Sequence, residues 1–221
     1  MKVIDSDKHC HTQIPCLTAA GVTHIFRYYA RERQENYAEK ILERDEALAL
    51  SAAGLNLGVV YQYNARSDDK FSKAIGLSDG RYAREYAGKT IKQPPNSAIY
   101  FGVDYDVDYR PDHNVVESNI VPHFEGIADA MREQKDYPSY DIGVYGAWQV
   151  CDRLSKLPFV KYTWLSQSTG WGGRKDREKY VAQNKWTILQ KYPTENLCGV
   201  DHDPNKIQKN VMSFGQFIVP P

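Results

Sequence analysis

The stretch AIYFGVDYDVDYR, residues 98–110, decides the fold class and points to the site. It begins as an apolar β-type run and ends in carboxylates at alternate positions, Asp104, Asp106 and Asp108. Alternate residues of an extended chain point the same way and lie about 6.6 Å apart. Like charges held this close raise one another's pKa, which is costly unless a metal, a cation or a reaction uses them. The stretch therefore predicts a buried strand that delivers carboxylates to a functional site.

The composition fits one large domain spanning residues 1–221, with 42% hydrophobic residues to form a core. The 28 basic residues balance the 28 acidic ones, which argues against binding to nucleic acid or to an anionic membrane. No apolar run reaches the ~18 residues of a membrane span. The N-terminus lacks the apolar region of a signal peptide, so we expect synthesis in the cytoplasm.

The four cysteines are scattered and contain no CxxC motif. The sequence favours reduced thiols, with a Cys10–Cys16 disulfide as the alternative for an exported chain. Tyrosine and tryptophan are more telling, because 16 Tyr and 4 Trp exceed what core packing requires. Their flat apolar faces and polar tips suit a sugar-binding cleft as well as a protein interface.

Short β-type runs alternate with helical patterns along the chain, which predicts parallel βαβ units. Eight such strands indicate a (β/α)8 barrel, and a doubly wound open sheet is the alternative, although its Gly-rich phosphate turn is missing. The predicted strands are 2–5, 24–29, 56–63, 98–106, 141–148, 162–168, 186–192 and 197–201, and the predicted helices are 37–54, 78–91, 115–134, 147–157 and 204–214.

Polar and aromatic residues collect at the predicted strand ends, where the active site of such a barrel lies. Acids on strands one, four and eight indicate convergence, because strands one and eight are neighbours once the barrel closes. Carboxyl groups facing aromatic rings are what glycoside hydrolysis requires. In strand order the predicted site residues are Asp5; Arg27 and Tyr29; Tyr61 and Tyr63; Asp104 and Asp106; Tyr145 and Trp148; Trp164 and Gln167; Gln190 and Tyr192; and Asp201 with Asp203.

Other interpretations of the acids remain open. Asp104 and Asp106 can cap a helix or turn the chain, and for Asp108 a loop role is preferred. The run DYDVDYRPDHNV also resembles a calcium loop, but Tyr109 replaces the glycine at position six and Val115 the glutamate at position twelve.

A competing metal site involves His9 and His11, which follow the first strand as in metal-dependent amidohydrolase barrels. Such a site needs further imidazoles or a lysine from strands four to six, and those segments contain none. We therefore expect no metal and no organic cofactor, with the amidohydrolase as a weaker alternative.

Eight motifs in this order resemble the family 25 glycoside hydrolase lysozymes (muramidases). The likeness is closer still to a related bacterial glycoside-hydrolase-like domain of unknown function, and it covers nearly the whole chain. The motifs are VID (3–5), IFRYYA (25–30), KILERDEALALSAAGL (40–55), IYFGVDYD (99–106), GVYGAW (143–148), WLSQ (164–167), WTILQKY (186–192) and VDHD (200–203).

The resemblance implies a barrel that acts on peptidoglycan or a related amino-sugar polymer. By that likeness Asp106 is the general acid, and Asp104 stabilises the oxocarbenium centre or orients a substrate acetamide. The remaining matching positions are Asp5 and Asp201, which tune the acids, and Tyr61 or Tyr63, Trp164, Gln190 and Tyr192, which line the cleft. Arg27 and Tyr29 match the less characterised branch.

One departure matters, because the lysozymes carry Asp-x-Glu on strand four and this chain carries Asp104-x-Asp106. The shorter Asp106 holds its carboxyl farther from the leaving oxygen, which weakens proton transfer. A glycan-binding barrel without turnover is therefore the alternative to a muramidase.

Cell-wall chemistry without an export signal predicts a signal-independent export route. A cognate inhibitor protein is then an expected partner.

Overall fold

Eight strands close into a barrel in the computed structural model, which describes residues 1–31 and 39–221. The barrel prediction is thereby confirmed. The barrel strands are β1 (Lys2–Asp5), β2 (Val22–Tyr29), β3 (Asn56–Tyr61), β4 (Ala98–Gly102), β7 (Asp141–Gly146), β8 (Val160–Leu165), β9 (Ile188–Gln190) and β11 (Val200–Ile207). Three short strands flank them: β5 (Tyr109–Arg110), β6 (His113–Asn114) and β10 (Glu195–Leu197).

The strand order around the barrel is β1-β2-β3-β4-β7-β8-β9-β11, and β11 pairs back onto β1. All neighbours pair in parallel except β11, which runs antiparallel to both β1 and β9. The predicted helix 204–214 is therefore wrong, because residues 204–207 continue β11 and residues 208–214 form turns and bends. This segment fills the gap between β1 and β9, and the strand hydrogen bonds gained there outweigh a weak helical pattern.

The described residues contain six α-helices. The predicted helix 37–54 begins only at Arg44, and its first two residues lie outside the described residues. Two helices were missed: 14–19 is too short to show a helical period, and 174–182 is too polar to show an apolar stripe. The helices are α1 (Ile14–Ala19), α2 (Arg44–Ala52), α3 (Lys73–Glu85), α4 (Val121–Arg132), α5 (Trp148–Leu154) and α6 (Arg174–Ala182).

The interior of the barrel is filled with aromatic rings rather than left open. The rings of Phe26 and Trp164 lie 4.7 Å apart between centroids, and Tyr100 packs against both. Tyr100 donates its hydroxyl to the Phe214 carbonyl at 2.9 Å, which ties the C-terminal segment beneath the barrel. These rings form the floor on which the polar residues of the upper end rest.

A disulfide joins Cys16 to Cys198, 182 residues apart in sequence. It ties α1 to the turn between β10 and β11. Cys10 and Cys151 are buried free thiols. Both cysteine predictions are therefore wrong, because the barrel brings together two segments that are distant along the chain.

Candidate functional site

A cavity of about 330 Å³ opens at the carboxyl ends of the parallel strands, and we call it the acidic cavity. Its position is the one that the barrel fold predicts for a site. It is lined by Asp5, Ser6, Asp7, Tyr28, Lys40, Gln62, Arg66, Asp104, Tyr145, Gln167, Gln190, Thr194, Asp201, His202 and Asp203.

Asp5 lies at the bottom of the acidic cavity and is 2% exposed. It accepts hydrogen bonds from Asn205 Nδ2 at 2.6 Å and from Tyr28 Oη at 3.3 Å. Burial, together with the charge of Asp203, raises its pKa to about 7, although these donors oppose the shift. Asp5 therefore exchanges its proton near neutral pH.

Gln190 links two carboxyl groups, Asp5 and Asp203, which we call the carboxyl pair. Its Nε2 donates to both oxygens of Asp5 at 3.1 Å and to Oδ2 of Asp203 at 2.9 Å. Its Oε1 accepts from Tyr145 Oη at 2.9 Å and from the Gln167 backbone N–H at 3.2 Å. The amide is thus fixed in one orientation, with its donors on the acids.

Asp203 is the more accessible member of the carboxyl pair. Besides Gln190, it accepts hydrogen bonds from Thr194 Oγ1 at 2.6 Å and Gln167 Nε2 at 3.1 Å. Burial raises its pKa, and Thr194 counteracts part of that shift. Because Asp5 and Asp203 interact, they titrate as a unit rather than as independent acids.

Asp104 follows β4, which lies four positions from β11 in either direction around the eight-stranded ring. It therefore stands across the barrel from Asp203. Gln62 Nε2 donates to its Oδ2 at 2.7 Å, and Arg66 Nε lies 3.6 Å from the same oxygen.

Tyr28 and Tyr145 show that the three carboxylates share one space. Burial raises the pKa of both phenols well above the ordinary value, and the charges of Asp5, Asp104 and Asp203 raise them further. Both hydroxyls therefore stay protonated, and they donate hydrogen bonds, Tyr28 to Asp5 and Tyr145 to Gln190.

Seven predicted site residues line the acidic cavity: Asp5, Asp104, Tyr145, Gln167, Gln190, Asp201 and Asp203. Asp201 contributes at the rim, since it is exposed and its carboxylate accepts from Asn196 Nδ2 at 2.7 Å. The predicted partner of Asp5 in the interior is thus replaced by Asp203, which pairs with Asp5 in register between β1 and β11.

Three predicted site residues point to the outside of the barrel wall. Arg27 is buried against Glu46 of α2, with 3.1 Å between Nε and Oε1, so it does not stand beside the cavity acids. Tyr29 donates to Gln93 Oε1 at 2.9 Å, and Tyr61 donates to Asp79 Oδ1 at 2.9 Å. Successive residues of a strand face opposite sides, and on β2 it is Phe26 and Tyr28 that face into the barrel. The prediction that Arg27, Tyr29 and Tyr61 line the site is therefore wrong.

The remaining predicted residues do not line the acidic cavity. Trp164 is 1% exposed in the floor, where Nε1 donates to Asn205 Oδ1 at 2.8 Å, so it cannot stack on a sugar. Trp148 Nε1 binds the Gly172 carbonyl at 2.8 Å, and Tyr192 is 79% exposed. Tyr63 lines an adjoining cavity.

Asp106 also lies outside the acidic cavity. It is exposed, and its Oδ1 accepts the Gly172 backbone N–H at 2.9 Å, so it joins two loops. The sequence placed it beside Asp104, but the chain leaves the extended conformation after Gly102, where β4 ends. Alternate positions therefore no longer share a side.

His9 and His11 come close to Glu46, and the ligand atoms of the three residues lie within 4.8 Å of one another. The group belongs to the layer between barrel and helices, since Glu46 is 2% exposed and bonded to Arg27. His9 Nδ1 lies 3.0 Å from Glu46 Oε2. A transition metal has suitable ligands here, but Arg27 already balances the Glu46 charge.

The sequence analysis missed several cavity residues. Tyr28 was hidden by strand alternation. Lys40 and Gln62 were predicted to lie in a helix and a strand and were not assigned to the site, and Arg66 lies in a loop. Asp203 was predicted at the end of strand eight, but Asp201 was preferred for the catalytic role because the antiparallel direction of β11 was not foreseen.

A barrel with carboxyl groups at the carboxyl ends of its strands is compatible with the class of glycoside-hydrolase-like proteins. The chain belongs to the family described as Rv2525c-like, glycoside hydrolase-like domain, which matches residues 15–213. The resemblance expected from the sequence is thus confirmed.

Three relatives illustrate the range of similarity. Bacillus subtilis YbfG is 32% identical over 152 residues, 66% of this chain, and the chain spans only 20% of YbfG. The Tat-secreted protein Rv2525c of Mycobacterium tuberculosis has a TM-score of 0.74 at 21% identity, covering 97% of this chain and 98% of that one. The Clostridium perfringens spore cortex lytic enzyme SleM has a TM-score of 0.58 at 13% identity, covering 96% and 67%. Identities this low between structures establish a shared fold alone.

Within the described residues, no helix is both long and apolar enough to cross a membrane.

Proposed function

We propose that this domain is a glycoside hydrolase of the muramidase type, cleaving peptidoglycan or a related amino-sugar polymer by carboxyl acid catalysis. The carboxyl pair carries the proposal: Asp5 and Asp203 accept from one amide, at 3.1 Å and 2.9 Å, and both pKa values are raised. A group that donates a proton near neutral pH needs such a pKa.

Asp203 is the proposed acid, because it is the accessible member of the pair. Asp5 is a positioning residue beneath it, which keeps a proton within the pair. Asp104 stands across the barrel and stabilises the oxocarbenium-like centre or orients a substrate acetamide. Two carboxyl groups on opposite sides of the scissile bond are the arrangement that glycoside hydrolysis uses.

This assignment moves the acid from Asp106 to Asp203. The loop position of Asp106, with its carboxylate on the Gly172 N–H, supports the move. It also supports a second candidate, a glycan-binding barrel without turnover, because the Glu of the muramidases' Asp-x-Glu motif corresponds to Asp106, which lies outside the acidic cavity.

The test is digestion of purified peptidoglycan with mass spectrometry of the products. Wild-type protein should release new reducing ends, and Asp203→Asn and Asp104→Asn should each lose at least about a hundredfold in rate. Asp106→Asn is the matched control from the same segment and should stay within about threefold of wild type. Intact glycan that still retains wild-type protein in a pull-down would favour the binding barrel.

Export is part of the proposal, since the substrate lies outside the cytoplasm. The Cys16–Cys198 disulfide supports it, because disulfides persist in oxidising compartments. The Tat-secreted relative Rv2525c supports it as well. A cognate inhibitor would follow from export of a wall-cleaving enzyme. Protein found only inside cells, with its four thiols reduced, would contradict this part.

A further inference from the structure

A second cavity of about 220 Å³ adjoins the acidic cavity and differs from it in charge. Lys40, Arg66 and Lys70 line it, and among its described lining residues there is no carboxylate. We call it the basic cavity. Lys40, Gln62 and Arg66 line both cavities and so form their common wall.

Hydrogen bonds connect the side chains of the common wall to Asp104. Lys40 Nζ donates to Gln62 Oε1 at 2.6 Å, and Gln62 Nε2 donates to Asp104 Oδ2 at 2.7 Å. Lys40 also lies over the Tyr28 ring, 4.4 Å from its centroid. A ligand in the basic cavity would therefore touch the same residues that position Asp104.

The cations of the basic cavity are close enough to interact unfavourably. Burial lowers the pKa of Lys40, and the neighbouring Arg66 charge lowers it further, although Asp104 works in the other direction. The Arg66 side chain is 66% exposed, and its only ion-pair contact among the described residues is the 3.6 Å approach to Asp104. Most of its five N–H donors therefore face solvent.

Lys70 completes the set at the outer edge. It pairs with Asp69 at 2.6 Å, and both side chains are largely in water, so the pair is weak and exchangeable. Two ammonium groups and a guanidinium around one opening are a binding arrangement for an oxyanion.

We propose that the basic cavity binds an anionic substituent, a carboxylate or a phosphate, carried by the same glycan whose sugar ring enters the acidic cavity. This inference rests on the proposed function, because it names a substrate feature of that site. The substrate would then be an acidic amino-sugar chain rather than a neutral one. Arg66 and Lys70, whose side chains are partly exposed, would face that charge.

The test compares three oligosaccharides of equal length by calorimetry at low salt. They are a neutral N-acetylglucosamine oligomer, a peptidoglycan strand stripped of its peptides, which keeps its lactyl carboxylates, and a phosphorylated N-acetylglucosamine oligomer. Wild-type protein should bind at least one charged chain about tenfold more tightly than the neutral chain, and 0.5 M salt should remove most of that difference. The preferred charged chain identifies the anion.

Substitutions test which residues cause the preference for the charged chain. Lys70→Gln should lose most of the preference for the charged chain and keep its affinity for the neutral chain, and Arg66→Gln should also lose the preference. Arg66→Lys should restore part of it, and Lys156→Gln, an exposed lysine on the α5 side, is the control. Equal binding of all three chains by wild-type protein would overturn the anion site and leave the proposed function standing. No binding of any chain would overturn both.

Discussion

Asp203 and Gln190 lie 2.9 Å apart, Oδ2 to Nε2, and the same nitrogen reaches Asp5. The amide is a neutral donor placed between two acids that repel each other. Burial is the main reason that both pKa values are raised, and the amide hydrogen bond lowers the pKa of Asp5 without reversing that shift.

Replacing that amide by an acid should inactivate the site. Gln190→Glu removes both donors and adds a third carboxyl group, so we expect at least about a hundredfold lower activity and a pH optimum displaced upward. The measurement is the pH–rate profile on peptidoglycan. Gln183→Glu, an equal charge change at an exposed position, should leave the profile unchanged. An unchanged profile for Gln190→Glu would mean that the carboxyl pair takes no part in the reaction.

Asp5 should make the protein less stable as the pH rises. Its pKa is about 7 in the fold against about 3.9 in an unfolded chain, so the native state binds the extra proton. The stability from this group is complete below about pH 4 and is lost between pH 4 and 7, by roughly 4 kcal/mol. Chemical unfolding of wild type and Asp5→Asn across this window should show a flatter dependence in the variant.

Other groups also titrate in that window, so the difference between the two proteins is the quantity to use. His123, whose pKa burial lowers to about 4, changes stability in the opposite direction and is common to both proteins. Asp136→Asn, at an exposed position, should follow wild type. Parallel curves for wild type and Asp5→Asn would show that Asp5 is ionised in the fold.

Substitution of the two aspartates on β11, Asp201 and Asp203, should affect activity differently. Asp203 is bonded to Gln190, Gln167 and Thr194, whereas the Asp201 carboxylate binds Asn196 at the rim. Asp203→Asn should abolish turnover, and Asp201→Asn should reduce it by less than about fivefold. Initial rates on the same glycan, with the melting temperature as a check on folding, decide between them. A reversed order would restore the assignment suggested by the sequence.

The disulfide should contribute strongly to stability. Closing a loop of 182 residues restricts the unfolded chain, and the chain-entropy relation gives about 5 kcal/mol. Unfolding with and without reductant should therefore differ for wild type. The double variant Cys16→Ser, Cys198→Ser should be as unstable as the reduced wild type and indifferent to reductant. Equal stability of oxidised and reduced wild type would exclude a stabilising role.

The barrel and about half of the residues that line the acidic cavity could be predicted from one pattern, apolar runs that end in acids. The apolar run predicts a strand, and the acid at its end predicts a site residue. The pattern could not tell the inside of the wall from the outside. A parallel strand covered by helices is apolar on both faces, so Tyr28 and Tyr29 look equivalent in sequence. Only the register of β2 separates them.

The direction of β11 and the disulfide partner of Cys16 could not be predicted from the sequence, for a different reason. Both depend on contacts between the first 20 residues and the last 25, and no local pattern encodes them. Lys40 and Gln62 were missed because the predicted helix 37–54 and strand 56–63 included them, whereas both lie in loops outside α2 and β3.

The reversed direction of β11 has a consequence for how the domain can be joined to others. The chain enters β1 at the end of the barrel away from the acidic cavity, and β11 returns it to that same end, where Phe217 pairs with Leu57. The two ends of the domain therefore lie on the same face of the barrel, opposite the acidic cavity. In a multidomain polypeptide, neighbouring modules would attach on the side opposite the acidic cavity and leave its opening uncovered.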